Sequence, residues 1–489
     1  MKKQVLFTFI LAIVATMWTG TVQAQLQEYG AWIAGVQITS DNCNDLSVIP
    51  SVTGKAKYDP SENAIVLENA TIKTSGKVAI EVHKNLGLKV IGKCKIESDT
   101  TAIRLTSFLE IYSNRRTFDD QCLDVIGGDT AISMIGLYGT LTVRDCTVNA
   151  KATTSNGVGI SGRESVITIE DDCARFTAEG KGGSIRDLGN IRFRVSYIMQ
   201  PKRAKFDEEL KCVTLNGELV KTKVVIESVT FYPLRVGSDR VHSGNCDDLT
   251  QIEDVKGKAY YDPNTKTLTL DNVTIKALIG IGIANFVDDL TIRLIGKNTI
   301  IGNDDVGIEN FKRATIVGVD NAFLKVVGGE TGPSITCKCG IRNVNTITVR
   351  RCTIEATGGV HGLREGNWEF DHCTVRARGG YNYADYAGSI SHLYGIPKFI
   401  GCKITSPEGT YWKDFLYLNE YNYYSLLGAD DKPVIDWVTI EELTGIDTPN
   451  ADTATKQGIY TLSGVRMQGE LNDLPKGVYI VNGQKVVKQ

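Results

Sequence analysis

A long segment of this chain is written twice. Asn42-Cys43-Asn44-Asp45-Leu46, Tyr58-Asp59-Pro60 and Glu68-Asn69-Ala70-Thr71-Ile72 return as Asn245-Cys246-Asp247-Asp248-Leu249, Tyr261-Asp262-Pro263 and Asp271-Asn272-Val273-Thr274-Ile275, each displaced by 203 positions. Further matches, Ile91-Gly92-Lys93 with Ile295-Gly296-Lys297 and Gly183-Ser184-Ile185 with Gly388-Ser389-Ile390, keep the displacement between 200 and 214. A length of 489 residues would suggest about three domains, but the repeat makes it one unit used twice, residues 25–230 and 231–443, followed by a tail at 444–489.

Inside each unit a shorter pattern recurs: an apolar residue, two variable positions, a cysteine, one variable position, then Val or Ile. It surrounds Cys94, Cys146, Cys352, Cys373 and Cys402, and Gly-Ile or Gly-Leu pairs recur at Gly159, Gly307, Gly340 and Gly362. Cysteine spacings of 21, 27 and 29 residues match one coil of a parallel β-helix. Thr267-Leu268-Thr269-Leu270 and Thr346-Ile347-Thr348-Val349 alternate polar and apolar as half-buried strands do. The leading apolar residue and the cysteine differ in strand parity, so a corner must fall between them. The expected fold is all-β: two tandem right-handed parallel β-helix units of five to seven coils, each opened by an antiparallel cap (Trp32 to Ile38, Lys55 to Tyr58, Ile65 to Leu67), plus a small C-terminal β domain. Composition agrees, because 49 glycines beside 11 prolines suit many tight turns and strands with no room for proline.

In stacked coils, equivalent cysteines would form an internal ladder about 4.8 Å per rung, with Asn298 standing in the place of Cys94. Three readings stay open for the 12 cysteines: buried thiols filling the core, disulfides between neighbouring rungs, and a metal site at Cys337-Lys338-Cys339, whose spacing is one short of a zinc knuckle.

Met1-Lys2-Lys3, the apolar run Val5 to Met17, and Val22-Gln23-Ala24 form the three parts of a secretory signal peptide, residues 1–24. The apolar run falls short of the ~20 residues of a spanning helix, and no later segment could span a bilayer. The expected protein is exported, secreted or held at the cell surface. A formal charge of −3 without a long basic run argues against nucleic acid.

Chemistry is harder to find. The acidic pairs Asp119-Asp120, Asp171-Asp172, Asp247-Asp248, Asp288-Asp289 and Asp304-Asp305 fall at expected turns, where Asp caps backbone donors. His372 beside Asp371 is the most suggestive histidine, but it adjoins a ladder cysteine at a corner. No catalytic residue, metal ligand or cofactor site is assigned. The stronger signal is where the two copies differ. The second gains residues at Tyr381-Asn382-Tyr383-Ala384-Asp385-Tyr386 and again before Val438, and nine of the chain's 19 tyrosines fall between 381 and 424. Insertions on a solenoid map to loops, often the binding face. Tyr381, Tyr383, Tyr386, Trp412 and Tyr417 are therefore expected to stack on sugar rings, the alternatives being closure of the last coil or a protein partner. The expected function is non-catalytic binding of an extracellular polysaccharide or glycan. A polysaccharide lyase or glycoside hydrolase is the first alternative, favoured by three or more charged groups converging at adjacent coils, and an adhesin or spacer the second.

The tail reads Gly458-Ile459-Tyr460-Thr461-Leu462-Ser463-Gly464-Val465-Arg466, then Leu474-Pro475-Lys476-Gly477-Val478-Tyr479, then Asn482-Gly483 between two apolar runs, a strong hairpin signal. These segments resemble the type IX-like C-terminal sorting domain of exported Bacteroidetes proteins, and the two large units look like β-helix repeats of secreted proteins from the same bacteria. The resemblance implies an export machinery as partner of the tail, with outer-membrane passage or surface attachment as the outcome. A plain β cap on the solenoid is the other reading.

Overall fold

The computed structural model describes residues 26–488 except 115–120, 137–138, 171–172, 174, 330–337, 381–386, 418–420, 444–457, 463 and 482–483. The expected signal peptide and linker, Cys337 and the tyrosines Tyr381, Tyr383 and Tyr386 lie outside the described residues. Two compact units form, one ending at Val287 and the other beginning at Asp288. Together they hold about 12 turns of β-solenoid.

In the first unit, three stacks of parallel strands enclose a core. One register runs Ile65, Leu88, Ile111, Val143, Ile169 and Phe193. A second runs Ile72, Ile96, Val125, Ala150 and Ala178, and a third Ile80, Ile103, Ile132, Ile160 and Ile185. All are buried except the terminal Phe193. Each side chain in these registers lies over a similar one in the next coil, and burying an aliphatic side chain stabilises by about 1.5–3 kcal/mol. Between the buried positions, outward residues alternate, as the strand period requires.

Both ends of the solenoid segment are antiparallel. Val52–Asp59 pairs with Ala64–Thr74, and the far edge of Ala64–Thr74 begins the parallel stacks. At the other end Val224–Ser228 runs antiparallel to Arg175–Glu179 and to Ser196–Gln200. A three-stranded sheet, Lys205–Asp207, Cys212–Leu215 and Glu218–Leu219, is inserted before the closing strand. The opening cap of the second copy follows in the same unit, with Phe231–Val236 on Asp239–His242 and Val255–Asp262 on Thr267–Lys276. Asp45 and Asp248 cap matching short helices through the amides of Ser47 and Thr250, so that repeated acid is structural.

The second unit repeats the plan. Ile292, Ile316, Val349, Phe370 and Phe399 form one register, Ile300, Val326, Ala356 and Ala377 another, and Ile308, Ile341, Leu363 and Ile390 the third. Val438–Glu442 closes it antiparallel to Thr374–Arg378 and Cys402–Ser406. The insertion before this closing strand is a hairpin, Tyr411–Tyr417 with Tyr421–Leu427. The tail is a four-stranded antiparallel sheet in the order Arg466–Met467, Ile459–Thr461, Gly477–Val481, Gln484–Lys488. Gly477–Val481 pairs antiparallel with Gln484–Lys488, Val481 opposite Gln484.

The expected corner lies where parity placed it. Asp145, Arg351, His372 and Gly401, each one residue before a cysteine, have φ of 56°, 50°, 47° and 62°. At Gly401 a Cβ would sit 2.4 Å from the His372 imidazole, so the left-handed turn there also needs the missing side chain. The ladder is real for Cys146 with Cys173, whose thiol points at the Cys146 carbonyl at 3.6 Å, and for Cys352, Cys373 and Cys402. Cys94 is a correction: it pairs with Leu123, which pairs with Val148, so it stands inside the strand. Four residues lie between the paired positions Leu88 and Lys93 but three between the matching Val143 and Thr147, so Gly92 stands level with Cys146. Asn298, opposite Leu324, occupies the corresponding strand position in the second copy. All eleven described cysteines are free thiols. Burial pushes the Cys352 thiol up to about 12. Among the described residues no helix is long and apolar enough to cross a membrane.

Candidate functional site

The third register of the second unit places Glu309, Arg342, Arg364 and Ser391 directly above one another on four successive coils. Each follows a core residue (Ile308, Ile341, Leu363, Ile390), so alternation turns it to the outer face. The flanking residues Asn310 and Asn343 turn inward instead, where Asn310 Nδ2 donates to Asn343 Oδ1 at 2.8 Å and fixes the register.

On the outer face the charges interlock. The Arg342 guanidinium donates to Glu309 Oε1 at 2.5 Å and to Glu365 Oε2 at 2.9 Å, and Arg364 reaches Glu365 Oε1 at 2.9 Å. Both carboxylate side chains are largely buried, at 9% and 11% exposure. Burial raises the Glu309 pKa, with Arg342 pulling it back. Burial opposes the charge on Arg342, yet Glu365 and Glu309 together raise its pKa. Charge-assisted, forked contacts of this kind hold planar groups in one orientation and leave the remaining N–H groups aimed.

Aromatic rings border this ladder. His392 lies 5.3 Å from His361 and 5.3 Å from Phe415, both edge-on, and Tyr423 lies 5.7 Å from Tyr394 and 6.2 Å from Phe415. The inserted hairpin is tied to the coil by the amides and carbonyls of Leu393 and Tyr424, at 2.8 and 2.9 Å. Trp368 is buried and donates Nε1–H to the Glu365 carbonyl at 2.7 Å, linking the site to the core. Burial raises the Tyr394 pKa, with a further push from the Glu365 carboxylate, which places the phenol beside the ion network.

His361 is buried, with Nδ1 2.7 Å from Ser391 Oγ. Burial, then Arg364 and His392, hold it well below the ordinary histidine range, and burial and Arg364 lower His392 to about 4. Both rings are neutral at pH 7. Because the unfolded histidines titrate near 6.5, stability is full above that pH. It falls as the pH drops toward 4, where the unfolded chain takes up protons that the folded one refuses. His392 alone is worth about 3 kcal/mol over that interval. Urea unfolding at pH 7 and pH 4.5 should show a loss that His392→Gln reduces; an equal loss in the variant contradicts the assignment.

Of the residues expected to bind, Tyr381, Tyr383 and Tyr386 lie outside the described residues. Trp412 is half-buried on the hairpin, on the opposite strand face from Phe415, and Tyr417 ends that strand opposite Tyr421. The residues that the fold brings together are Tyr394, Phe415 and Tyr423, from the same tyrosine-rich stretch, with the charged ladder. The ladder was missed by the sequence reading, yet its signal was close by: Glu309, Arg342 and Arg364 each follow a recurring Gly-Ile or Gly-Leu pair. At the matching rungs the first copy has Ser133 and Ser161 where the second has Arg342 and Arg364. His372 and Asp371 do meet, at 2.7 Å, beside a groove of about 660 Å³. His372, then Arg350, keep the Asp371 carboxyl below its ordinary range, so it is poorly suited to donate a proton. Among the described residues no cluster of His, Cys, Asp and Glu is arranged to hold a metal ion. Comparison with protein-family models, curated proteins and solved structures returns no match to this chain.

Proposed function

We propose that the chain is an exported, non-catalytic glycan-binding protein whose site is the outer face of the second copy around Arg342, Arg364, Glu365 and Tyr394. The observation that carries this reading is a fixed array of forked polar groups bordered by Tyr394, Phe415 and Tyr423. A sugar ring offers hydroxyls to the first and an apolar C–H face to the second. The leader at residues 1–24 and the sorting-type tail support an extracellular location, with the export machinery as the tail's partner. Glycoside hydrolysis calls for two carboxylates in separate protonation roles. Here Glu309 and Glu365 are clamped by one guanidinium, which favours holding over cutting. The raised pKa of Glu309 and the convergence of charges on adjacent coils favour the lyase or hydrolase reading, and product analysis separates the two.

Replacing both Tyr394 and Tyr423 by Ala should weaken retention on a glycan array about five- to hundredfold, since each lost aromatic contact removes roughly 0.5–1.5 kcal/mol. Unchanged retention by the variant contradicts this site.

A further inference from the structure

We propose that the first compact unit carries a second sugar-binding site, a cleft of about 790 Å³ that takes a neutral mono- or short oligosaccharide. The ligand class rests on the reading of the second copy above, but no residue is shared with that site. The cleft lies between the strand Ser196–Gln200, the inserted three-stranded sheet and the hairpin that opens the second copy. Tyr197, Phe206, Thr214, Asp239 and His242 are among its walls, and its volume suits a small ligand.

Three observations converge. Thr214 is 1% exposed, and its hydroxyl has no hydrogen-bond partner among the described residues. A buried hydroxyl left unpaired is costly, and a ligand hydroxyl would complete it. Second, His242 is buried with its ring 4.2 Å from that of Tyr197 and edge-on to Phe231 at 5.7 Å. Its Nδ1 accepts the Gly244 amide at 3.1 Å, so the neutral ring carries its proton on Nε2 as a fixed donor. Third, the cleft is written into one copy only. The turn scaffold is the same in both: Asn42 accepts from the Thr39 amide at 2.9 Å and donates to the Gln37 carbonyl at 2.9 Å, while Asn245 accepts from the His242 amide at 2.8 Å and donates to the Arg240 carbonyl at 3.1 Å. On that shared scaffold, His242 replaces Thr39 and Asp239 replaces Val36.

The donor set selects the ligand. Asp207, Asp239 and Glu253 outnumber the lining cations Lys205 and Arg203, the latter already engaged by Thr250 Oγ1, so the cleft opposes an anion. An alternation of hydroxyl, N–H donor and carboxylate beside aromatic rings fits an uncharged polyol.

Calorimetric titration of residues 25–489 with a panel of neutral α- and β-linked gluco-, galacto- and manno-oligosaccharides tests the site. Wild type should bind two equivalents of at least one member. His242→Thr, which restores the first copy's residue, and Thr214→Val should each weaken one equivalent about tenfold, the value of a lost hydrogen bond. The Tyr394/Tyr423 double alanine variant should remove the other. A single equivalent that only the tyrosine variant removes overturns the cleft and leaves the second-copy site standing. A single equivalent removed by His242→Thr and untouched by the tyrosine variant supports the cleft and overturns the other site. No binding by any member overturns both.

Discussion

Arg342→Ala should cost about 3–5 kcal/mol of folding stability and abolish glycan retention, because it leaves the Glu309 carboxylate buried without its partner and removes one of the two cations on Glu365. Glu309 and Glu365 lean on the same guanidinium from coils on either side of it, so a single truncation strands Glu309 and leaves Glu365 with Arg364 alone. Arg342→Lys keeps the charge but not the fork, and one ammonium cannot hold two separated carboxylates in plane. It should recover part of the stability and little of the retention. Urea unfolding with a retention assay on the same preparations checks both effects. A loss under about 1 kcal/mol for Arg342→Ala, the value of an exposed pair, would mean that water already solvates these carboxylates.

Phe370→Ala should cost about 3–5 kcal/mol for a different reason, the cavity left in a packed core. Phe370 is fully buried and stacks on Trp368 at 5.9 Å and on Phe399 at 5.6 Å, while its carbonyl receives the Cys402 thiol at 3.3 Å. It belongs to the register Ile316, Val349, Phe370, Phe399, so the void would open between two coils. Phe415→Ala, on the half-buried hairpin, should cost distinctly less stability while weakening retention more. Equal stability losses at the two positions would contradict the division between core and binding face.

Much of the fold was legible because a solenoid writes its geometry repeatedly. Parity between Val143 and Cys146, or between Phe370 and Cys373, required a corner, and the left-handed residues Asp145 and His372 form it. The matched Asn-Cys-x-Asp-Leu segments located the two opening caps. The one misplaced rung, Cys94, shows the limit: its pattern matches that of Cys146 in residue class at each position, but its coil holds one residue more between the paired positions on either side of the corner. Register is fixed by backbone pairing across coils, and spacing along the chain does not record that difference.

The site was less legible for a physical reason. Its aromatic residues Tyr394, Phe415 and Tyr423 lie in the tyrosine-rich stretch that the sequence marks, but the residues expected to bind there are Tyr381, Tyr383, Tyr386, Trp412 and Tyr417, which are different ones. Its charged half comes from Glu309, Arg342 and Arg364, 22 to 33 residues apart in sequence and adjacent only after the coils stack. Outward charged residues on strands are ordinarily solvated, and no single one stands out. The contrast that marks them is between copies: at rungs where the first copy has Ser133 and Ser161, the second has Arg342 and Arg364. Pairing the recurring Gly-Ile positions across the two copies and reading the next residue would have found them.

The most direct measurement is a glycan-array screen of residues 25–489, followed by product analysis on every hit. Retention of at least one glycan, lost in the Tyr394/Tyr423 double alanine variant and released without any change in glycan length or unsaturation, is the predicted result. Shortened or unsaturated products, or a wild-type chain that retains nothing on the array, would contradict a non-catalytic glycan-binding protein.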